Sequence, residues 1–217
     1  MATGTNAARH GTGDADLTIM LAAHDAFRRD LVRLAKAAAF ADLPDPARRA
    51  AVAAGWETFK RQLHMHHTAE DVIIWPLLRD RLTRSVNAQS VLDSMEEEHS
   101  RIDPLLAAVD QAFAHPEDGR LGDVTDALTS DILKHLTHEE HDALPLIGTA
   151  LTASEWRGAG FKMARKNGLS AGGEMFAWLN DGADPGQAAA VLKTLPPPVR
   201  LAYRAVWHPR YARTQRW

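Results

Sequence analysis

The chain has 217 residues, 45% of them apolar, and a net charge of only −3, which suits one core-forming domain with an extension. It has no cysteine, which excludes disulfides, thiolate zinc sites, iron–sulfur clusters and thiol catalysis, and leaves carboxylates and 11 His as the strong metal ligands. No run of 18 uncharged apolar residues is present, and the polar stretch Met1 to Asp16 has no apolar signal region, so the expected location is the cytoplasm.

Apolar residues recur at three- and four-residue spacing in a background of Ala, Leu, Arg and Glu, and no strand pattern interrupts them. Breakers at Leu43-Pro44-Asp45-Pro46, around Arg81 to Asn87, and at His115-Pro116-Glu117-Asp118-Gly119 predict helices over 16–41, 46–80, 86–114 and 121–147. Pro76 and Pro145 are expected to kink or shorten the second and fourth. Thr152-Ala153-Ser154-Glu155 has the pattern of a capping box and starts a fifth helix, which Asn167-Gly168 ends. Shorter helices are expected over 171–180, 185–195 and 198–208. The predicted fold is all-α: an up-down-up-down four-helix bundle over 16–150, with additional C-terminal helices over 151–217. That extension holds 10 Lys+Arg against 4 Asp+Glu and four of the six Trp, so packing on the bundle or on a partner is expected, and the remainder carries about −9 by subtraction.

His66 to Asp71 and His135 to Glu140 share one pattern: His-x-x-x-Glu, a second acid, and Pro ten residues after the His. Residues four apart on a helix lie about 40° apart around its axis, so each pair puts an imidazole and a carboxylate on one face. The helices contribute His24, His66, His99 and His135, and successive pairs have midpoints at residues 45, 82–83 and 117, each at a predicted loop. In a bundle of antiparallel neighbours, residues placed symmetrically about a loop sit at equal height, so the four His form one layer. A shift of 75 matches Leu17, Met20, His24, Phe27, Leu31 and Leu34 with Leu92, Met95, His99, Ile102, Leu106 and Val109. A shift of 69 matches Phe59, Leu63, His66, Glu70, Pro76 and Leu77 with Leu128, Ile132, His135, Glu139, Pro145 and Leu146. The bundle therefore reads as two related hairpins whose His lie on the apolar stripe and point inward.

Four imidazoles and two carboxylates buried together are costly unless their charges and lone pairs are met, and a pair of cations would meet them. Glu70 and Glu139 are expected to converge and bridge two ions, each receiving two His, a share of both carboxylates and an open position for water or a diatomic molecule. Mixed nitrogen and oxygen ligation in a helical bundle favours non-haem iron, with manganese or zinc as alternatives. Other motifs fit less well. The His138-Glu139-Glu140-His141 run has its His three apart, where a zinc-protease helix needs four, and the Glu-x-x-His ending at His99 has no second copy on the fourth helix.

In its ordered His24, His66/Glu70, His99 and His135/Glu139, the chain resembles the hemerythrin-like family of HHE cation-binding domains over roughly residues 16–150. The resemblance implies an oxo- or hydroxo-bridged centre of two iron ions and binding of dioxygen or a related small oxidant. It also implies two alternatives: an enzyme consuming peroxide or nitric oxide, or an oxygen, iron or redox sensor acting through the extension. Oxygen-carrying hemerythrins have a fifth His one turn from the first on the third helix, where this chain has Met95 and Asp103. His67 is the candidate replacement, with Glu98 next, and His64, His138 and His141 are expected in solvent or supporting roles. The expected ligand is a small diatomic molecule or peroxide. No nucleic acid is expected, and a protein partner or a second copy could bind through 151–217.

Overall fold

Asp45 and Ser85 begin two of the long helices by accepting hydrogen bonds from Ala47 N–H and Ala88 N–H, and Pro46 occupies the first turn, where its missing N–H costs nothing. These caps belong to a computed structural model that describes residues 15–39 and 45–217. His10, Leu43 and Pro44, and the expected end of the first helix at residue 41, lie outside the described residues. Helix α1 spans Thr18–Ala38, α2 starts with Pro46–Ala69, α3 spans Val86–Ala114 and α4 starts with Leu121–His138. A single 3₁₀ turn, Pro116–Asp118, lies between α3 and α4 and ends at Gly119, whose φ of 65° is left-handed.

Pro76 and Pro145 do not stop their helices. Each follows a π-helical turn, Glu70–Ile74 or Glu139–Ala143, and the α-helix then resumes over Trp75–Arg81 or Leu144–Ala150. Trp75 N–H donates to Glu70 C=O and Leu144 N–H to Glu139 C=O, the five-residue bond that defines the widened turn. A proline cannot donate to the carbonyl four residues back and its ring collides with it, so one extra residue per turn lets the helix pass. The same device recurs in the C-terminal helix before Pro209.

Helix α1 packs on α2 and α4, α3 packs on α4, and the last segments of α2 and α4 meet each other. The core is divided in two along the bundle. One apolar cluster holds Phe27, Leu31, Phe59, Leu63, Ile102, Leu128 and Ile132, and the other holds Met20, Trp75, Leu78, Leu92, Met95, Leu144 and Ile147. Between them lie the buried polar residues His24, Glu70, His99, His135 and Glu139. Each large apolar side chain contributes about 1.5–3 kcal/mol by burial, and those two slabs hold the polar layer in place.

The extension forms α5 (Ala153–Leu179), α6 (Pro185–Lys193) and a last helix α7 that runs Pro197–Ala202, π-turn Tyr203–Trp207 and His208–Ala212. The capping box is complete: Glu155 N–H donates to Thr152 Oγ1, and Thr152 N–H donates to Glu155 Oε2. Gly168, at φ 79° and ψ 165°, breaks α5 into two pieces at the position where the sequence ends a helix. The second piece enters the bundle core. Trp178 is 1% exposed, its ring lies 4.9 Å from that of Phe27, and its indole N–H donates to Asp30 Oδ2 at 2.7 Å. Trp217 N–H donates to Ala51 C=O, and the Trp217 ring sits so close to Gly55 that a Cβ there would lie 2.5 Å from it. No strand occurs and no helix is long and apolar enough to cross a membrane, among the described residues.

Candidate metal centre

Two groups of converging ligand atoms share one residue. His24, His66, Glu70 and Glu139 form one, and His67, Glu70, His99 and His135 form the other, with all atoms of each group within 4.8 Å of one another. The four His expected in one layer are together: the His24 and His66 rings are 5.1 Å apart and the His99 and His135 rings 4.7 Å. His67, next to His66 on α2, is turned toward the other pair and stacks on His99 with centroids 3.9 Å apart. The expected equal division of two His per position therefore becomes three and two.

Five Nε2 atoms, from His24, His66, His67, His99 and His135, and all four carboxylate oxygens of Glu70 and Glu139 are buried without a hydrogen-bond partner. His24 Nε2 approaches Glu139 Oε2 at 3.1 Å, and His66 Nε2 approaches Glu70 Oε1 at 3.1 Å, close contacts that lack hydrogen-bond alignment. Leaving a buried polar atom unsatisfied costs about 1–3 kcal/mol, so nine such atoms cost on the order of 10 kcal/mol, comparable with the net stability of a domain. Nitrogen and oxygen lone pairs aimed at common points are the donor set that a cation satisfies.

The outward side of three rings is anchored. His24 Nδ1–H donates to Glu140 Oε1 at 2.9 Å, His99 Nδ1–H to Asp71 Oδ1 at 2.8 Å, and His135 Nδ1–H to Glu98 Oε2 at 2.9 Å. Burial pushes the Glu140 carboxyl up, but its bonds with His24 and Arg28 outweigh that and bring it down to about 2. Burial likewise opposes ionisation of Glu98, and its bonds with His135 and His138 reverse the effect and lower it. Ionised carboxylates only accept, so in the neutral, metal-binding form the proton of the His24 and His135 rings lies on Nδ1 and Nε2 keeps its lone pair facing inward. The second acid of each repeat has thus found its role: Asp71 and Glu140 are equivalent under the 69-residue shift, and each orients the His of the other hairpin. Glu98 lies outside the ligand group, and its other oxygen accepts from His138 Nδ1–H at 2.8 Å.

The repeat is broken at two places. His67 corresponds to Leu136, and Glu98 corresponds to Ala23, so both the extra imidazole and the extra orienting carboxylate serve the same three-His position. Met95 is buried in the apolar slab, while Asp103 and His64 face solvent. His141 is exposed, and His138 is one-third exposed at the rim.

Without a cation, protons balance the charge. Burial would lower the His24 imidazole, but Glu139 and Glu140 overcome it and raise it to about 9. Burial pushes the Glu70 carboxyl well up, with Glu139 adding to the effect. Burial drives the His66 and His67 imidazoles well down, and neighbouring His reinforce it. Neutral imidazole is the form that binds a metal.

The sequence model of the hemerythrin HHE cation-binding domain matches residues 9–147, well over half the chain. The chain belongs to the hemerythrin HHE cation-binding family. None of the curated proteins and none of the solved structures compared with it matches. The HHE match ends at Ile147, before α5, so helices α5 to α7 lie beyond it. Within this HHE domain, changing Glu98 to Ala removes the acceptor that orients His135 while leaving every inward ligand atom in place. Metal affinity should fall about 10–100-fold, read by competition with a chromophoric chelator. An unchanged affinity would show that packing alone orients His135.

Proposed function

We propose that the chain holds two non-haem iron ions and binds dioxygen or a related small oxidant. The observation that carries the reading is the set of nine buried, inward-facing atoms from five His and two Glu, with Glu70 common to both groups. The assigned ligands are His24, His66, Glu70 and Glu139 for one ion, and His67, His99, His135 and Glu70 for the other. Iron suits mixed imidazole and carboxylate ligation in a helical bundle, and a pair of such ions supplies reversible two-electron chemistry at a position left open to a small ligand. The chain's own part is to exclude water with its two apolar slabs, fix the rings through Asp71, Glu98 and Glu140, and keep the donors converged. His67 restores the fifth imidazole absent from α3, which favours oxidant binding over the more open, peroxide-consuming centre that four His would leave.

The reading is of a cytoplasmic protein. Anaerobic iron loading of the full chain should give about two iron ions per chain, with near-ultraviolet bands of a bridged pair after oxidation. Changing His67 to Ala should reduce the content to about one. Two tightly held ions in that variant would refute the His67 assignment, and no iron in the parent chain would refute the whole reading.

A second reading, a sensor working through the extension, is favoured by one contact chain. Trp178 of α5 packs on Phe27, and the Phe27 ring lies 5.2 Å from that of His66. A metal-dependent change in indole fluorescence that disappears in Trp178→Phe would support it.

A further inference from the structure

We infer that the first half of α5 is a docking face for an anionic lipid surface. Around this helix, Ala159 is buried and Trp156 and Met163 are half-buried, so they form its inward side. Phe161 is 79% exposed at the middle of the opposite side. At about 100° per residue, Arg157 and Arg165 lie some 40° to either side of it and Lys162 about 100° round, while Lys166, about 140° round, is exposed at the edge of this face near the end of the helical piece. All four cations are exposed, and none makes an ion pair among the described residues. No acid occurs between Glu155 and Glu174, and those two are already paired with Arg81 and Arg61. Just past the Gly168 break, Leu169 is 82% exposed.

This surface differs from the rest of the extension, whose Trp178 and Trp217 are seated on the bundle. Three unpaired cations set around an exposed Phe, with a fourth at the edge of the face and a Leu at the elbow, match a phospholipid headgroup layer. The cations meet the phosphates, and the two apolar side chains reach the acyl boundary. A nucleic acid would use the charges and could stack on Phe161, but it has no use for an exposed Leu169. The inference stands apart from the metal reading.

Flotation of the full chain with vesicles tests it. Binding is expected to phosphatidylcholine vesicles containing about one-third phosphatidylserine, and not to phosphatidylcholine alone. It should be lost when salt rises from about 0.05 to 0.5 M, because headgroup attraction is screened. The double change Lys162→Glu and Arg165→Glu should reduce the bound fraction at least about tenfold, and Phe161→Ser several-fold. The far-ultraviolet circular dichroism spectrum and melting temperature should be unchanged in both variants, which shows that the bundle is intact. No binding to anionic vesicles, equal binding to neutral ones, or indifference to both variants overturns the inference. So does elbow-dependent binding to a nucleic acid duplex, or elbow-dependent dimerisation, in the absence of vesicle binding.

Discussion

Changing Glu70 to Ala is expected to remove both metal ions, whereas changing Glu139 to Ala should leave most of the ion held by His67, His99 and His135. The difference follows from membership: Glu70 offers an oxygen to both converging groups, and Glu139 belongs to only one. His135 Nε2 does lie 3.9 Å from Glu139 Oε2, so some weakening of the second ion is expected as well. Metal analysis after dialysis against a weak chelator reads the outcome directly. The metal-free proteins should behave in the opposite sense. Both Glu70 oxygens are buried and unpartnered, so the isosteric Glu70→Gln removes a group that burial opposes in its charged form. The metal-free variant should melt at or above the temperature of the metal-free parent, while the parent alone gains stability on adding metal. Equal metal content in Glu70→Ala and the parent would sink the shared-ligand assignment, whatever the stabilities show.

Changing Trp178 to Ala should destabilise the chain by about 3–5 kcal/mol, the range for deleting a large buried aromatic side chain. Trp178 is 1% exposed, fills the space beside Phe27, and donates to Asp30, which is itself 1% exposed. Arg29 and Arg33 also donate to Asp30 Oδ1, at 2.9 and 3.1 Å, so in the variant the carboxylate should lose one of its partners and not all. At about 2–4 °C per kcal/mol for a chain of this size, the melting temperature should fall by roughly 6–20 °C. Trp178→Phe separates the two contributions: it keeps most of the packing and removes only the indole N–H. A loss below about 1 kcal/mol in Trp178→Ala would mean that α5 is not anchored in the bundle core through this residue.

The helices, their order and the polar layer were legible in the sequence because each depends on spacing along the chain. Thr152 announces a helix start through its capping box, which is present, and Asp45 and Ser85, inside the predicted breaks, cap two more helices. The loop midpoints brought His24, His66, His99 and His135 together because rise per residue is the same in every α-helix. Two expectations took a different form once the helices packed together. Pro76 and Pro145 were expected to kink or shorten their helices; a π-turn precedes each and the α-helix resumes after it, a choice that depends on how the widened turn packs. Two His per ion was expected from four levelled residues, and His67 was only a candidate because neighbours in sequence lie about 100° apart on a helix. Only the position of α2 between its neighbours shows that one imidazole faces His24 and the next faces His99.

By itself, then, the sequence determined an all-helical bundle, a repeated His-x-x-x-Glu face and the height at which the ligands meet. These follow from helical periodicity and chain length, which are properties of each segment taken separately. Tertiary structure decided which carboxylate orients which ring, that Glu70 is common to both groups while Glu139 is not, and that His67 joins the far pair. It also decided which Trp of the extension are seated on the bundle and that Phe161 is left outside. Those outcomes depend on rotation of one helix against another, and the physical reason they escape a sequence is that no local spacing encodes that angle. Packing of the two apolar slabs sets it.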